Sequence, residues 1–163
     1  MKIRRAVLED LETINDIYND AVVSTVATFD IQPISVDERR QWFESHSPRY
    51  PILVAEQDGD IIGWACLTRW SDRQGYADTA ESSCYIKAGH TEKGVGVQLA
   101  RELLNMARQL EFHTIIARVT TSNAASLEFC RKLGFEHIGV LKEVGKKFGQ
   151  LLDVNILQIF LNK

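Results

Sequence analysis

Gly94 and Gly96 stand one residue apart at the head of the amphipathic stretch "GHTEKGVGVQLARELLNMARQL", Gly89 to Leu110. Bare amides at a helix start attract anions, phosphate above all, because unpaired N–H groups and the helix dipole point the same way. Two phosphate motifs fit poorly. A dinucleotide fingerprint needs a third glycine where Leu99 stands, and its ribose-binding acid is not clearly placed. A Walker A loop needs Gly-Lys-Ser/Thr, but Val97-Gln98 follow Gly96. Taken alone, the two glycines fit a plain helix start better than any specific ligand. His46, His90, His113 and His137 show no metal-ligand spacing, nor do Cys66, Cys84 and Cys130, so no metal site is expected.

The elements that must carry this loop are legible along the chain. "KIRRAV" reads as a first strand, and Asp10 as the cap of a helix with Leu11, Ile14, Ile17, Tyr18 and Ala21 on one face. "STVATFDIQPI" is a loop with an exposed-looking Phe29. Ser35 and Glu38 form a capping box for a second helix through Trp42 to His46. "PILVAEQDGDIIGWACLTRW" is two strands joined at Asp58-Gly59. A polar loop, Ser71 to Asp78, leads to the strand "SSCYIKA", then to a helix from about Gly94 to Leu110. "TIIARVT" is a buried strand, "SNAASLEFCRKLGF" a helix ended by Gly134, and "EHIGVLKEV" and "LLDVNILQIFL" a hairpin. Strands alternating with helices in this order predict an α/β fold with a mixed sheet and helices on its faces.

Composition narrows the class. At 163 residues, 45% hydrophobic and 25% charged, the chain suits one compact domain. A net charge of −3 gives no basic field for nucleic acid or an anionic membrane. No apolar run approaches the roughly 18 residues that span a bilayer. The start, "MKIRRAVLEDLETI", turns acidic too soon for a secretory signal. Three widely spaced cysteines form no disulfide framework, so a cytoplasmic setting is expected.

The run "AESSCYIKAGHTEKGVGVQLARELLNMA" followed by "TTSNAASLEFCRKLGF" resembles the Gcn5-related N-acetyltransferase (GNAT) superfamily. "RQGYADTAESSCYI", "TFDIQPIS", "YPILVAEQDGDIIGWA" and "GKKFGQLLDV" are similar to its phosphinothricin and methionine-sulfoximine acetyltransferase branch. The resemblance spans nearly the whole chain. It implies a single N-acetyltransferase domain over 1–163, with a mixed twisted sheet and helices on both faces. It implies acetyl-CoA as co-substrate, a small amino-acid-like amine as acceptor, and a homodimer in which loops such as that of Phe29 reach a partner's site.

The resemblance also implies roles for residues. The amides of Glu92, Lys93, Gly94, Val95, Gly96 and Val97 are expected to hold the pyrophosphate of acetyl-CoA, with Lys93 adding a cation. Thr91 occupies the first motif position, where Gln or Arg is usual. Cys84-Tyr85-Ile86 resembles the strand whose backbone pairs with the pantetheine arm, splayed from "TIIARVT" so that an extended amide chain fits the gap. Asn123 matches the cofactor-contacting asparagine and suits a helix N-cap. Glu81 matches the glutamate base that takes the amine proton. Cys130 stands where the superfamily often has Tyr and the branch His, and packing is its expected role. Around the acceptor, Phe29, Arg73, Tyr76, Ser82 and Ser83 are expected beside Glu81, with Arg73 pairing a substrate carboxylate. Lys147 and Asp153 lie in further segments similar to the branch's substrate region, where a turn charge and an edge-strand acid are the plainer readings. Two alternatives stay open: acetylation of peptide or protein N-termini, and a non-catalytic acyl-CoA-binding module.

Overall fold

A computed structural model describes residues 1–162. Strand β1 (Lys2–Arg5) leads into helices α1 (Leu11–Ser24) and α2 (Val36–Ser45), then strands β2 (Ile52–Gln57), β3 (Asp60–Arg69) and β4 (Thr79–Ile86). Helix α3 (Val95–Gln109), strand β5 (Thr114–Thr120), helix α4 (Ala124–Leu133) and strands β6 (Glu136–Lys147) and β7 (Gln150–Phe160) complete the order expected from the sequence. The strands form one sheet in the order β1-β2-β3-β4-β5-β7-β6. Every neighbouring pair is antiparallel except β4 and β5, which run parallel.

Local chemistry accounts for the joints. Asp58 and Gly59 take φ of 53° and 86°, a left-handed pair that matches the twist of a tight hairpin. Phe148 and Gly149, at 51° and 73°, do the same between β6 and β7. Ser35 Oγ accepts from the Glu38 N–H while the Glu38 carboxylate accepts from the Ser35 N–H, so α2 starts with its end groups satisfied. Asn123 caps α4 through the Ser126 N–H at 3.2 Å. Asp10 departs from expectation. Its carboxylate does not cap α1; it accepts from the Val7 N–H at 2.8 Å and from both Arg4 Nη atoms at 2.7 and 2.9 Å. A short 3-10 turn at Leu8–Asp10 points that side chain back toward β1.

Two apolar layers flank the sheet. Ile14, Ile17 and Val22 of α1 pack on Ile52, Val54, Trp64 and Cys66. On the other face Leu99, Leu103 and Ala107 of α3 pack on Leu53, Ala65, Leu67 and Ile115. Consecutive residues of β2 thus bury on opposite faces, which is why "ILVA" is apolar without a break.

The functionally important irregularity lies in the middle of the sheet. Strand β4 begins at Thr79, earlier than the expected "SSCYIKA", because Thr79, Ala80 and Glu81 pair with Thr114, Ile115 and Ile116 of β5. From Ser82 to Ile86, β4 stays paired with β3, while its pairing with β5 ends at Glu81. The two parallel strands diverge there.

Candidate active site

The divergence opens into a cavity of about 730 Å³, within the range of small-ligand sites. Ser82, Ser83, Cys84, Tyr85 and Ile86 form one wall. Their backbone groups facing β5 lack a strand partner beyond Glu81, so this edge offers main-chain donors and acceptors to an extended chain. Asn123, Phe129 and Cys130 line the α4 side.

At the far end sits the glycine loop. Gly94 takes a left-handed φ of 72°, which favours glycine, and its carbonyl accepts the first bond of α3 from the Gln98 N–H at 3.2 Å. The amides of Val95, Gly96 and Val97 therefore precede the helical ladder. At Gly96 space rather than φ is tight: a Cβ would stand 3.3 Å from the Phe129 ring, which would have to give by a few tenths of an ångström, and 3.5 Å from Ile86. Thr91, Gly94, Gly96 and Val97 line the cavity. The expected unbroken run of inward amides is corrected at Lys93, whose N–H donates to the His90 carbonyl at 3.4 Å within a turn. Glu92 and Lys93 are exposed and stand off the cavity wall, and the Val95 side chain is buried in the core.

Glu81 lies at the last paired position before the gap, its side chain 15% exposed. Its two oxygens accept from Arg118 Nε at 2.6 Å and Nη2 at 2.8 Å. The Arg118 side chain is 54% exposed and its guanidinium carbon stands 5.9 Å from the Trp70 ring. The hydrogen bonds and field of Glu81 push Arg118 further into its charged form. Sequence reasoning missed Arg118. One signal was available, since it is the single exposed position in the otherwise buried strand "TIIARVT".

The segment from Val26 to Phe29 roofs the cavity and is tied from three sides. Thr120 Oγ1 donates to the Val26 carbonyl at 2.9 Å, and Lys147 Nζ donates to the Thr28 carbonyl at 2.8 Å. The Tyr18 hydroxyl meets Thr28 Oγ1 at 2.8 Å and also bonds the Asp30 carboxylate. Burial and that carboxylate push Tyr18 up to about 12, so it stays a neutral donor. Phe29 is half-buried over Gly145, not an exposed loop tip. Lys147 is buried rather than a turn charge. Asp153 accepts from the Glu143 N–H at 2.7 Å and from Lys142 Nζ at 3.2 Å, which fixes an irregular stretch of β6 whose Leu141 and Val144 line the cavity, while Asp153 itself is not on the wall.

Arg73 and Tyr76, expected over the acceptor, are exposed and stand off the cavity wall; Tyr76 ends a 3-10 turn at Gln74–Tyr76 that Arg73 precedes. Burial pushes the Cys84 thiol up to about 12 and the Cys130 thiol up to about 11.

A strand gap beside a glycine-led helix start, with a carboxylate at the fork, is an arrangement for an extended, phosphate-bearing ligand. Residues 3–156 match the Acetyltransferase (GNAT) domain. The chain belongs to the GNAT acetyltransferase family. It is 39% identical over 162 residues to an L-methionine sulfoximine/L-methionine sulfone acetyltransferase of Pseudomonas aeruginosa, covering 98% of this chain and 94% of the relative. A GNAT phosphinothricin acetyltransferase from Sinorhizobium meliloti, solved in complex with AcCoA, superposes with a TM-score of 0.95 at 33% identity, covering 98% of this chain and 88% of that one. A ribosomal-protein-alanine N-acetyltransferase from Brucella melitensis superposes with a TM-score of 0.96 at 36% identity, over 99% and 100% of the two chains. In this GNAT acetyltransferase, the parallel β4–β5 pair supplies the fork, and α3 supplies the amides. Among the described residues, no helix is long and apolar enough to cross a membrane.

Proposed function

We propose that this chain, as one acetyltransferase domain over 1–163, moves the acetyl group of acetyl-CoA to the primary amine of a small amino-acid-like substrate. Methionine sulfoximine and phosphinothricin represent the substrate type. The observation that carries this reading is the position of Glu81, at the point where β4 leaves β5 and inside the same cavity as the α3 start. The residues fit the co-substrate. The Val95, Gly96 and Val97 amides receive its pyrophosphate, the free edge of β4 receives its amide-bearing arm, and Asn123 flanks it. Bound there, it supplies an activated thioester.

The chain's own residues do the rest. Glu81 takes a proton from the ammonium group, leaving a lone pair on nitrogen. That pair forms the C–N bond as the C–S bond breaks, and the electrons leave on sulfur. The second nitrogen proton goes to solvent, which returns one to the thiolate. Transfer is direct, within a ternary complex: Cys84 and Cys130 are held as neutral thiols and so are poor nucleophiles for an acyl-enzyme.

Thiol release from acetyl-CoA with a panel of amino acids tests the proposal. Wild-type protein releases thiol with at least one small amino acid, and Glu81→Gln lowers kcat by about 10²–10⁴, the worth of a general base. Undiminished turnover in Glu81→Gln would remove the base. Binding of acetyl-CoA without release for every amine would leave only an acyl-CoA-binding module.

The absence of the exposed Arg73 and Tyr76 from the cavity wall favours a second reading, N-terminal acetylation of a peptide, because these two side chains do not cover the acceptor side. A peptide beginning with alanine, turned over faster than any free amino acid, would decide for it. We also propose a homodimer in a reducing, cytoplasmic setting. The edge strand β6 and its neighbour expose Ile138, Leu141, Val144 and Leu151, apolar side chains along the sheet edge that a second copy would cover. Light scattering at the mass of one chain would refute the dimer.

A further inference from the structure

Among the described residues that line the cavity, Glu81 and Arg118 are the charged ones, and they carry opposite signs. The wall is therefore neutral overall, with one anion and one cation joined by two short hydrogen bonds. In that state both Glu81 oxygens are engaged by a guanidinium, which suits storage of the carboxylate and not proton abstraction. An acceptor must break the pair to be acetylated.

We propose that Arg118 is the receptor for the substrate's α-carboxylate, and that exchange of Arg118 from Glu81 to that carboxylate frees Glu81 for the neighbouring amine. The proposal rests on the acetyl-transfer reading above and names the part of the site that selects amino acids. Three observations carry it. The Nε–Nη2 side of Arg118 already grips one carboxylate in a bidentate fork, a geometry that any carboxylate matches. Arg118 is the partner with solvent beside it, its side chain 54% exposed against 15% for Glu81. A pair with so exposed a member is screened and gives way readily. Trp70, 5.9 Å from the guanidinium carbon, offers a ring face beside it during the exchange.

Charge balance then sets the specificity. A zwitterionic amino acid inserts between the two side chains with its carboxylate toward Arg118 and its ammonium toward Glu81. The inserted molecule has no net charge, so the cavity stays neutral. An amine lacking the carboxylate brings an unmatched cation and leaves Arg118 holding Glu81. Arg73, outside the cavity, is not required for this recognition.

The test compares methionine sulfoximine with its carboxamide, in wild type, Arg118→Ala and Arg118→Lys, by thiol release. Wild type prefers the acid. Arg118→Ala raises the KM for the acid roughly ten- to hundredfold, the worth of hydrogen bonds to a charged group. It raises kcat/KM for the carboxamide, because Glu81 is no longer held. A merely structural role would lower both. Arg118→Lys, which keeps the charge but not the fork, recovers part of the preference. Acetyl-CoA affinity by calorimetry stays at the wild-type value in both variants and shows that they are folded. Release with an unchanged acid-to-amide preference in Arg118→Ala overturns the assignment of Arg118 alone. No release by wild type with any amine overturns the transfer reading and this assignment with it.

Discussion

Gly145→Ala isolates the acceptor roof from the rest of the site. A Cβ at Gly145 would lie 2.0, 2.4 and 2.8 Å from three carbons of the Phe29 ring, where contact needs about 3.5 Å or more. The ring or its loop must move by about 1.5 Å. The loop resists, held by Thr120, Lys147 and Tyr18. Losing those three bonds together would cost about 3 kcal/mol at roughly 1 kcal/mol each. Swinging the ring alone falls in the usual overpacking range of about 1–3 kcal/mol. The ring therefore turns first, and the open side is the cavity it lines. Gly145 is not among the positive-φ glycines, so the added methyl acts through volume alone. The expected outcome is a Tm lower by a few to about ten degrees. The amine KM rises by about an order of magnitude, while acetyl-CoA affinity, which depends on the opposite end of the cavity, is unchanged. Phe29→Ala in the same chain restores part of the lost stability, a non-additive pair. Wild-type Tm and amine KM in Gly145→Ala would refute the reasoning, since the roof would then be soft.

Gly94→Ala forces a side chain into a left-handed φ of 72° and costs about 1 kcal/mol in the loop; calorimetry should show weaker acetyl-CoA binding with little change in the amine KM. Asp10→Asn removes the anion that joins Arg4 to the Val7 amide, and chemical denaturation should show a loss of about 1.5–3 kcal/mol near neutral pH. Burial works against the Asp10 charge, but the Arg4 hydrogen bonds and the Val7 amide outweigh it and hold the carboxyl below its ordinary value of 3.8. Its folded value is depressed, so its stabilisation is present above about pH 4 and is lost as pH falls through the lower folded value. The gap in stability between wild type and Asp10→Asn should close under acid. A gap that stays constant from pH 7 to pH 2.5 would count against the pairing.

The order of elements was legible because each boundary had a local chemical mark. Asp58-Gly59, the Ser35–Glu38 box, Asn123 and Gly134 act within a few residues of themselves, and all four do in the fold what their type suggests. Asp10 carried the same kind of mark and misled. Its partner, Arg4, is supplied by β1 and the turn rather than by the helix that follows. The cavity was legible where backbone makes it, at Cys84 to Ile86 and at Gly94 to Val97, since glycines and strand edges announce themselves. The Arg118–Glu81 pair was not, because a contact across 37 positions depends on the β4–β5 register, which no local pattern encodes. Phe29 on Gly145 and Lys147 on Thr28 were hidden for the same reason. Each joins the α1–α2 loop to the last hairpin.

That division bears on why Cys130 is tolerated at a position where an acid is expected from the resemblance. Burial holds its thiol near 11, whereas an ordinary thiol sits near 8.5. Cys130 is therefore a weaker acid than an ordinary thiol and a poor proton donor to a departing thiolate. Cys130 is buried against the cluster that includes Leu103, Val119 and Phe135, and fills space there. In the proposed reaction the backbone holds the long ligand, and side chains are left with the choice and deprotonation of the amine, the tasks proposed for Arg118 and Glu81. On that reading the leaving sulfur departs as a thiolate and takes its proton from solvent afterwards.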